Sequence, residues 1–167
     1  MKMTDTTDLT EADIKFLRRA IANAVANVEE GNRPFAAILV GAEGDIMAED
    51  CDRTVLSGDP LSHGEINVIR TAIQKFGLER VMAATLYVNG EPCPMCAGTI
   101  LRSGIGRVIY AATGALAGPY LGGKFLGRRL PSDAIFALAG DDLKVTSGVL
   151  LEEARRPFEL YAAKGTA

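Results

Sequence analysis

The stretch from Ala84 to Ala111 constrains the fold most. It reads as a strand (Ala84-Thr-Leu-Tyr-Val-Asn89), a turn (Pro92-Cys-Pro-Met-Cys96), a helix continuing from Ala97 to Arg102 and a second strand (Arg107-Val-Ile-Tyr-Ala111). A strand–helix–strand run joins parallel neighbours, and such crossovers are almost always right-handed. The chain is therefore expected to build an α/β sheet with helices packed on it. The same unit sets Cys93 and Cys96 about one helical turn apart at the mouth of its helix.

The flanking sequence extends this pattern. Thr10-Glu-Ala-Asp13 is a capping box with Asp in place of Glu, and Ile14, Leu17, Ile21, Val25 and Val28 then mark one amphipathic helix that Gly31 stops. Phe35–Val40 and Asp45–Glu49, separated by turn residues, predict a hairpin, so the sheet is expected to be mixed. Residues 51–62 read as a loop that delivers His63 to a helix whose buried face is Ile66, Ile69, Ile73 and Phe76. After Thr113 a glycine-bracketed segment carrying Tyr120, Lys124, Phe125, Arg128 and Arg129 reads as an irregular, solvated lid. A weak helix over 131–138, a short strand over 143–146 and a last helix over 149–163, broken or kinked at Pro157, complete the expectation.

At 167 residues, 48% of them hydrophobic, the chain suits one soluble domain with a sizeable core, and a single unit over 1–167 is expected. The net charge of −3 argues against routine binding to a phosphate backbone, so nucleic acid is not the expected partner. No leader-like or membrane-spanning run occurs, and a cytoplasmic location is expected. Three cysteines without a leader suggest metal or redox chemistry and not a disulfide framework.

Zinc favours thiolate and imidazole donors, and a catalytic site keeps three of them with a fourth position open to water. His63, Cys93 and Cys96 offer such a set at the starts of two helices. Taken singly, each motif has a plainer reading: redox activity for Cys-x-x-Cys, an ordinary polar residue for a lone His. Together, His63-Gly-Glu65 and Pro92-Cys-Pro-Met-Cys96 fit every fixed position of the zinc deaminase signature, His-x-Glu followed by Pro-Cys-x-x-Cys. Zn²⁺ is then the expected cofactor. Glu65, not a ligand, would act as the catalytic proton carrier, taking a proton from water and passing it to a ring nitrogen and to the departing amine. Cys51 reads as a small buried hydrophobe.

These residues resemble the cytidine deaminase-like superfamily, closest to the branch holding bacterial guanine deaminases, tRNA adenosine deaminases and fungal-type cytosine deaminases. Pro34-Phe35-Ala-Ala, Asp59-Pro60 before His63, Glu91-Pro-Cys-Pro-Met-Cys96-Ala-Gly and Gly106-Arg-Val-Ile-Tyr110 carry the resemblance, which spans about 33–112. It implies a three-layer α/β/α fold around a central mixed five-stranded sheet, and a homodimer. It also implies substrate contacts from Phe35, Gly64, Glu91, Cys93 and, in the last helix, Phe158 and Glu159. The middle Gly of His-Gly-Glu is similar to the fungal-type cytosine deaminases, where the other two groups usually carry Ala.

One position departs from the branch. Counting back from His63, its base-binding Asn falls at Asp52, which accepts but does not donate when ionised. Asp52 is thus assigned either to a donor on the substrate or to a local loop cap. The functional expectation is a deaminase of a free nucleobase or related aminoheterocycle, guanine-type, releasing ammonia. A tRNA adenosine deaminase, a cytosine deaminase and a non-catalytic zinc-binding domain are the alternatives.

Overall fold

The computed structural model describes residues 2–3, 8–122 and 130–165, with the backbone alone at 2–3. A two-residue strand β1 (Lys2–Met3) precedes helix α1 (Glu11–Glu29) and the hairpin of β2 (Ala36–Val40) and β3 (Ile46–Cys51). Next come α2 (Thr54–Ser57), α3 (Gly64–Phe76), α4 (Leu78–Met82), β4 (Thr85–Gly90), α5 (Pro94–Ser103) and β5 (Arg107–Ala112). The chain continues through α6 (Gly114–Ala117), α7 (Ser132–Phe136), β6 (Lys144–Ser147) and α8 (Leu151–Ala163).

The sheet order is β1-β6-β5-β4-β2-β3. β2 runs antiparallel to β3 and β4, whereas β4, β5 and β6 are parallel, so the expected crossover from β4 through α5 to β5 is present. The mixed five-stranded sheet stands as expected, and β1 extends it by a short parallel pairing with β6.

Alternate residues of each strand serve opposite layers. Ala37, Leu39, Leu86, Val88, Val108 and Tyr110 pack against Val68, Ile69 and Ala72 of α3, Val81 of α4, Ala97 and Ile100 of α5, and Phe136 of α7. Ile38, Tyr87, Ile109 and Ala111 pack against Leu17, Ala20 and Ile21 of α1 and Ala154 and Phe158 of α8. Burying each such Leu, Ile or Phe side chain contributes roughly 1.5–3 kcal/mol, which fixes the strand register.

The Thr10 capping box forms, and Asp13 does more than cap. Its buried carboxylate accepts from Thr10 N and Oγ1 at 2.8 Å each, from Tyr87 Oη at 2.6 Å and from the Arg107 guanidinium at 2.7 and 3.0 Å. Burial alone would raise its pKa, but hydrogen bonds from Arg107, Tyr87 and Thr10 prevail and hold it well below the usual carboxylate range.

Three local readings are corrected. The loop over 51–62 contains the single turn α2, and Gly114–Tyr120, read as irregular, forms α6 and a 3₁₀ turn. α8 is not broken at Pro157: the buried Ala154, Pro157 and Phe158 anchor its inner face, which offsets the hydrogen bond proline cannot donate. Lys124, Phe125, Arg128 and Arg129 lie outside the described residues. No helix among the described residues is long and apolar enough to cross a membrane.

Candidate active site

His63 and Cys93 are the N-cap residues of α3 and α5, both in extended conformation, and Cys96 lies one turn into α5. Pro94, at the start of α5, carries a φ already suited to a helix and has no N–H to leave unpaired. The two helix starts meet. His63 Nδ1 lies 3.7 Å from Cys93 Sγ and 3.5 Å from Cys96 Sγ. The three donor atoms all fall within 4.8 Å of one another, and they form the one such group among the described residues.

This spacing fits zinc. Bonds of ~2.3 Å to sulfur and ~2.0–2.1 Å to nitrogen at a tetrahedral angle place sulfur and nitrogen about 3.5 Å apart. The donor chemistry agrees. Sharing with Cys96 pushes the Cys93 thiol down to about 4, against burial, while Cys96 is pushed up by the same sharing and by burial. Two thiolates this close repel one another, and a dication between them is what makes both favourable. Burial lowers the pKa of His63, but Cys93, Glu65 and Asp52 more than offset it and raise the ring to about 8.

Glu65 sits in the first turn of α3 and is buried. Its pKa rises to about 7, first because burial penalises the charge and then because of Cys93. Gly64, just before it, is placed by close packing. A Cβ there would stand 3.1 Å from Asp50 O and 3.3 Å from Ala37 N, so glycine lets the start of α3 lie against the hairpin.

Asp52 is fully buried. Its Oδ1 accepts from Thr54 N at 3.0 Å and from Thr54 Oγ1 at 2.5 Å, a local loop cap. Its Oδ2 is buried with no partner among the described residues, a condition shared only with one oxygen of Asp133. The loop-cap assignment of Asp52 is thus met by Oδ1, while Oδ2 makes no hydrogen bond among the described residues.

The remaining expected residues divide. Phe35 is half-buried and meets Phe158 edge to face at 5.6 Å between ring centres, both rings crowding Gly90. Phe158 itself is a fully buried core residue, and Glu159 is exposed, 3.5 Å from Tyr120 Oη. Glu91, assigned to the substrate by resemblance, has both carboxylate oxygens engaged by the protein: Oε2 by Gly114 N at 2.6 Å, Oε1 by Ser132 N at 2.9 Å and Ser132 Oγ at 3.2 Å. Cys51 is buried, its thiol pushed up to about 11 by burial, and stands outside the donor group.

Sequence reading missed the supports. Asn89 accepts from Ala36 N at 2.7 Å and donates to Pro34 O at 2.9 Å, fixing the backbone on both sides of Phe35. Asn27 donates to Arg33 O and Asp52 O, and Asn67 donates to Cys51 O and Ser62 Oγ. A polar residue on an otherwise apolar helix face or strand is the only signal that could have flagged them. Arg33, Thr54, Val55, Gly58 and Pro60 join His63 around a cavity of about 270 Å³, near the small end of ligand pockets.

Residues 10–112 match the model of the cytidine and deoxycytidylate deaminase zinc-binding region. A tRNA-specific adenosine deaminase of Haemophilus influenzae is 32% identical over 155 residues, covering 93% of this chain and 86% of that protein. The guanine deaminase of Bacillus subtilis is 39% identical over 98 residues, covering 58% of this chain and 62% of its own length. Among solved structures, one from a study of A-to-I editing by tRNA deaminases at the wobble position superposes with a TM-score of 0.69 at 30% identity, covering 86% of this chain and 99% of the other. The guanine deaminase of Nitrosomonas europaea has the same fold, with a TM-score of 0.72 at 23% identity over 97% of this chain and 87% of the other.

Proposed function

This chain belongs to the cytidine and deoxycytidylate deaminase zinc-binding family, and we propose that within it the protein is a hydrolytic deaminase of a free nucleobase or related small aminoheterocycle, guanine-type, formed as one domain over 1–167 and working as a homodimer in the cytoplasm. The reaction forms a carbon–oxygen bond from water, breaks the ring carbon–amine bond and releases ammonia.

The observation that carries the chemistry is the convergence of His63, Cys93 and Cys96 with the buried Glu65 carboxyl two residues beyond His63. Held by His63, Cys93 and Cys96, zinc would supply the Lewis acidity that makes water a nucleophile near neutral pH. Glu65 takes the proton water gives up and delivers protons to the ring nitrogen and the leaving amine. A buried carboxyl whose pKa is raised above the usual carboxylate range is suited to both directions. The half-buried Phe35 ring and the backbone at Gly64 and Cys93 flank the position of the heterocycle.

Substrate choice is assigned to Asp52. A fully buried carboxylate, which accepts but does not donate when ionised, with one oxygen unpartnered among the described residues, favours a ring edge that presents N–H or NH₂ and disfavours one that presents a lone pair. Asp52→Asn is expected to change the ranking of donor-edged and acceptor-edged substrates, by up to ~10⁴-fold in relative kcat/KM where the hydrogen bond is decisive, with zinc content unchanged. Equal ratios in both proteins would confine Asp52 to the loop.

A second reading, deamination of adenosine in tRNA, is supported by the near full-length match to the Haemophilus influenzae protein. The excess of acidic over basic residues, 21 against 18, weighs against it, because an RNA phosphate backbone requires positive compensation. Ammonia release from a panel of aminated purines, pyrimidines, pterins and triazines, run beside inosine formation in a tRNA anticodon loop, decides between the two. Conversion of the tRNA with all small heterocycles inert would replace the leading reading.

A further inference from the structure

Glu91 lies just past β4, two residues before Cys93. Its backbone N–H donates to Ala112 O at 2.8 Å, which continues the β4–β5 pairing one step beyond the strand. Its carboxylate then reaches two separate parts of the chain, the first residue of α6 and the first residue of α7. Carboxylate bonds to backbone N–H groups are charge-assisted and stronger than neutral ones. Each also satisfies an N–H that a helix start leaves unpaired. Three points of the fold, the turn into α5 and the starts of α6 and α7, thus converge on one side chain.

We infer that Glu91 is a positioning residue that acts through Cys93: by accepting from Gly114 N, Ser132 N and Ser132 Oγ it locks the Glu91-Pro92-Cys93 turn in place and so holds the Cys93 sulfur at the separation from His63 that a tetrahedral metal requires. The turn has few other anchors of its own. Pro92 has no N–H to donate, and the next backbone bond from this stretch is the one in which Cys93 O accepts from Ala97 N at 2.8 Å inside α5. Asp133 sharpens the assignment. One of its oxygens is buried without a partner among the described residues, and its pKa is raised by burial and then by the neighbouring charge of Glu91. A neutral residue at 91 would relieve that repulsion, yet Gln gives up part of the carboxylate's grip in either case, so zinc affinity, and not stability, separates a residue that positions Cys93 from one that only stabilises the fold. The Gln amide oxygen can accept from one flank, but its NH₂ then faces an N–H donor on the other, and one tether is lost.

This inference rests on the zinc set and not on which substrate is deaminated. The test is zinc affinity by chelator competition on the full chain, with amide hydrogen exchange at Gly114 and Ser132. Glu91→Gln is expected to bind zinc about 10-fold more weakly, the lower end of what residues supporting metal ligands usually supply, with faster exchange at one of the two amides. Ser132→Ala, which removes only the hydroxyl donor, is expected to lose about 2–3-fold, on the order of half a kcal/mol, as fits a single neutral donor. Tyr87→Phe, which removes a hydrogen bond on the opposite face of the sheet, controls for general destabilisation and should leave zinc affinity at the wild-type value. Zinc affinity in Glu91→Gln equal to that in Tyr87→Phe overturns the inference. Should Glu91→Gln fail to fold, Ser132→Ala at wild-type affinity overturns it instead. A wild-type protein that binds no zinc brings down the metal reading and this one together; a wild type that binds zinc without deaminating any heterocycle brings down the proposed function alone.

Discussion

The two groups of buried ionisable side chains along β4 and β5 are opposites. Toward the start of the strands, Asp13, Tyr87, Arg107 and Thr10 satisfy one another, and the carboxylate is held deprotonated. Beyond the end of β4, with Cys93, Cys96, His63, Glu65 and Asp52, the demands are left open: three metal-type donors converge, Glu65 is raised to about 7 and Asp52 Oδ2 has no partner among the described residues. Buried polar groups are costly unless paired. A chain that completes one cluster and leaves the other open is spending stability where a metal and a ligand can return it. The satisfied end is structural and the unsatisfied end is where the chemistry is assigned.

The sharpest way to break this contrast is Glu65→Gln. It is expected to lower kcat by at least ~100-fold, the usual contribution of a positioned proton carrier, while zinc content by metal analysis and thermal stability hold. Full turnover in that variant would remove Glu65 from the mechanism. At the other end, Asp13→Ala is expected to cost about 2–3 kcal/mol, since it strips Arg107 of its partner and Tyr87 of its acceptor, with zinc content unchanged. Denaturant titration measures the loss, and a loss of zinc parallel to the loss of stability would show that the two ends are not separable.

The same comparison has a pH signature. Asp13 has a folded pKa below its unfolded value, so between the two the unfolded chain binds more protons and stability falls as pH falls. The contribution of Asp13 is complete above the ordinary aspartate value near 3.9 and is lost progressively below it as pH approaches the folded pKa. Stability against pH should therefore drop more steeply below about pH 4 in the wild type than in Asp13→Asn; parallel curves would contradict the assignment. Tyr87→Phe is the mildest test, expected to cost about 1 kcal/mol by loss of one hydrogen bond to Asp13.

Most of the fold was legible because its periodicities are local. The α1 stripe from Ile14 to Val28, the apolar run of β2 and the strand–helix–strand unit were read from spacing alone. β1 was missed because a two-residue strand has no period, and no break occurs at Pro157 because the packing of Ala154 and Phe158 carries the helix through it. At the site, His63, Cys93 and Cys96 were legible because their chemistry is bound to fixed spacings. For Glu91 a motif records which residues recur and not what they touch, and the packed chain shows both its oxygens accepting from backbone and hydroxyl donors.

By itself, then, the sequence determined the zinc donor set, the carboxyl beside it and the α/β order of elements, since each depends on residues a few positions apart, within reach of one helical turn or one strand. Only the tertiary structure decided what distant segments do to one another. It brought His63 within 3.7 Å of Cys93 across thirty positions, sealed Asp52 with one oxygen unpaired and tied Glu91 to Gly114 and Ser132. Burial and hydrogen-bond completion are properties of the packed chain as a whole, and no local pattern encodes which polar atom will be left without a partner once the sheet has closed over it.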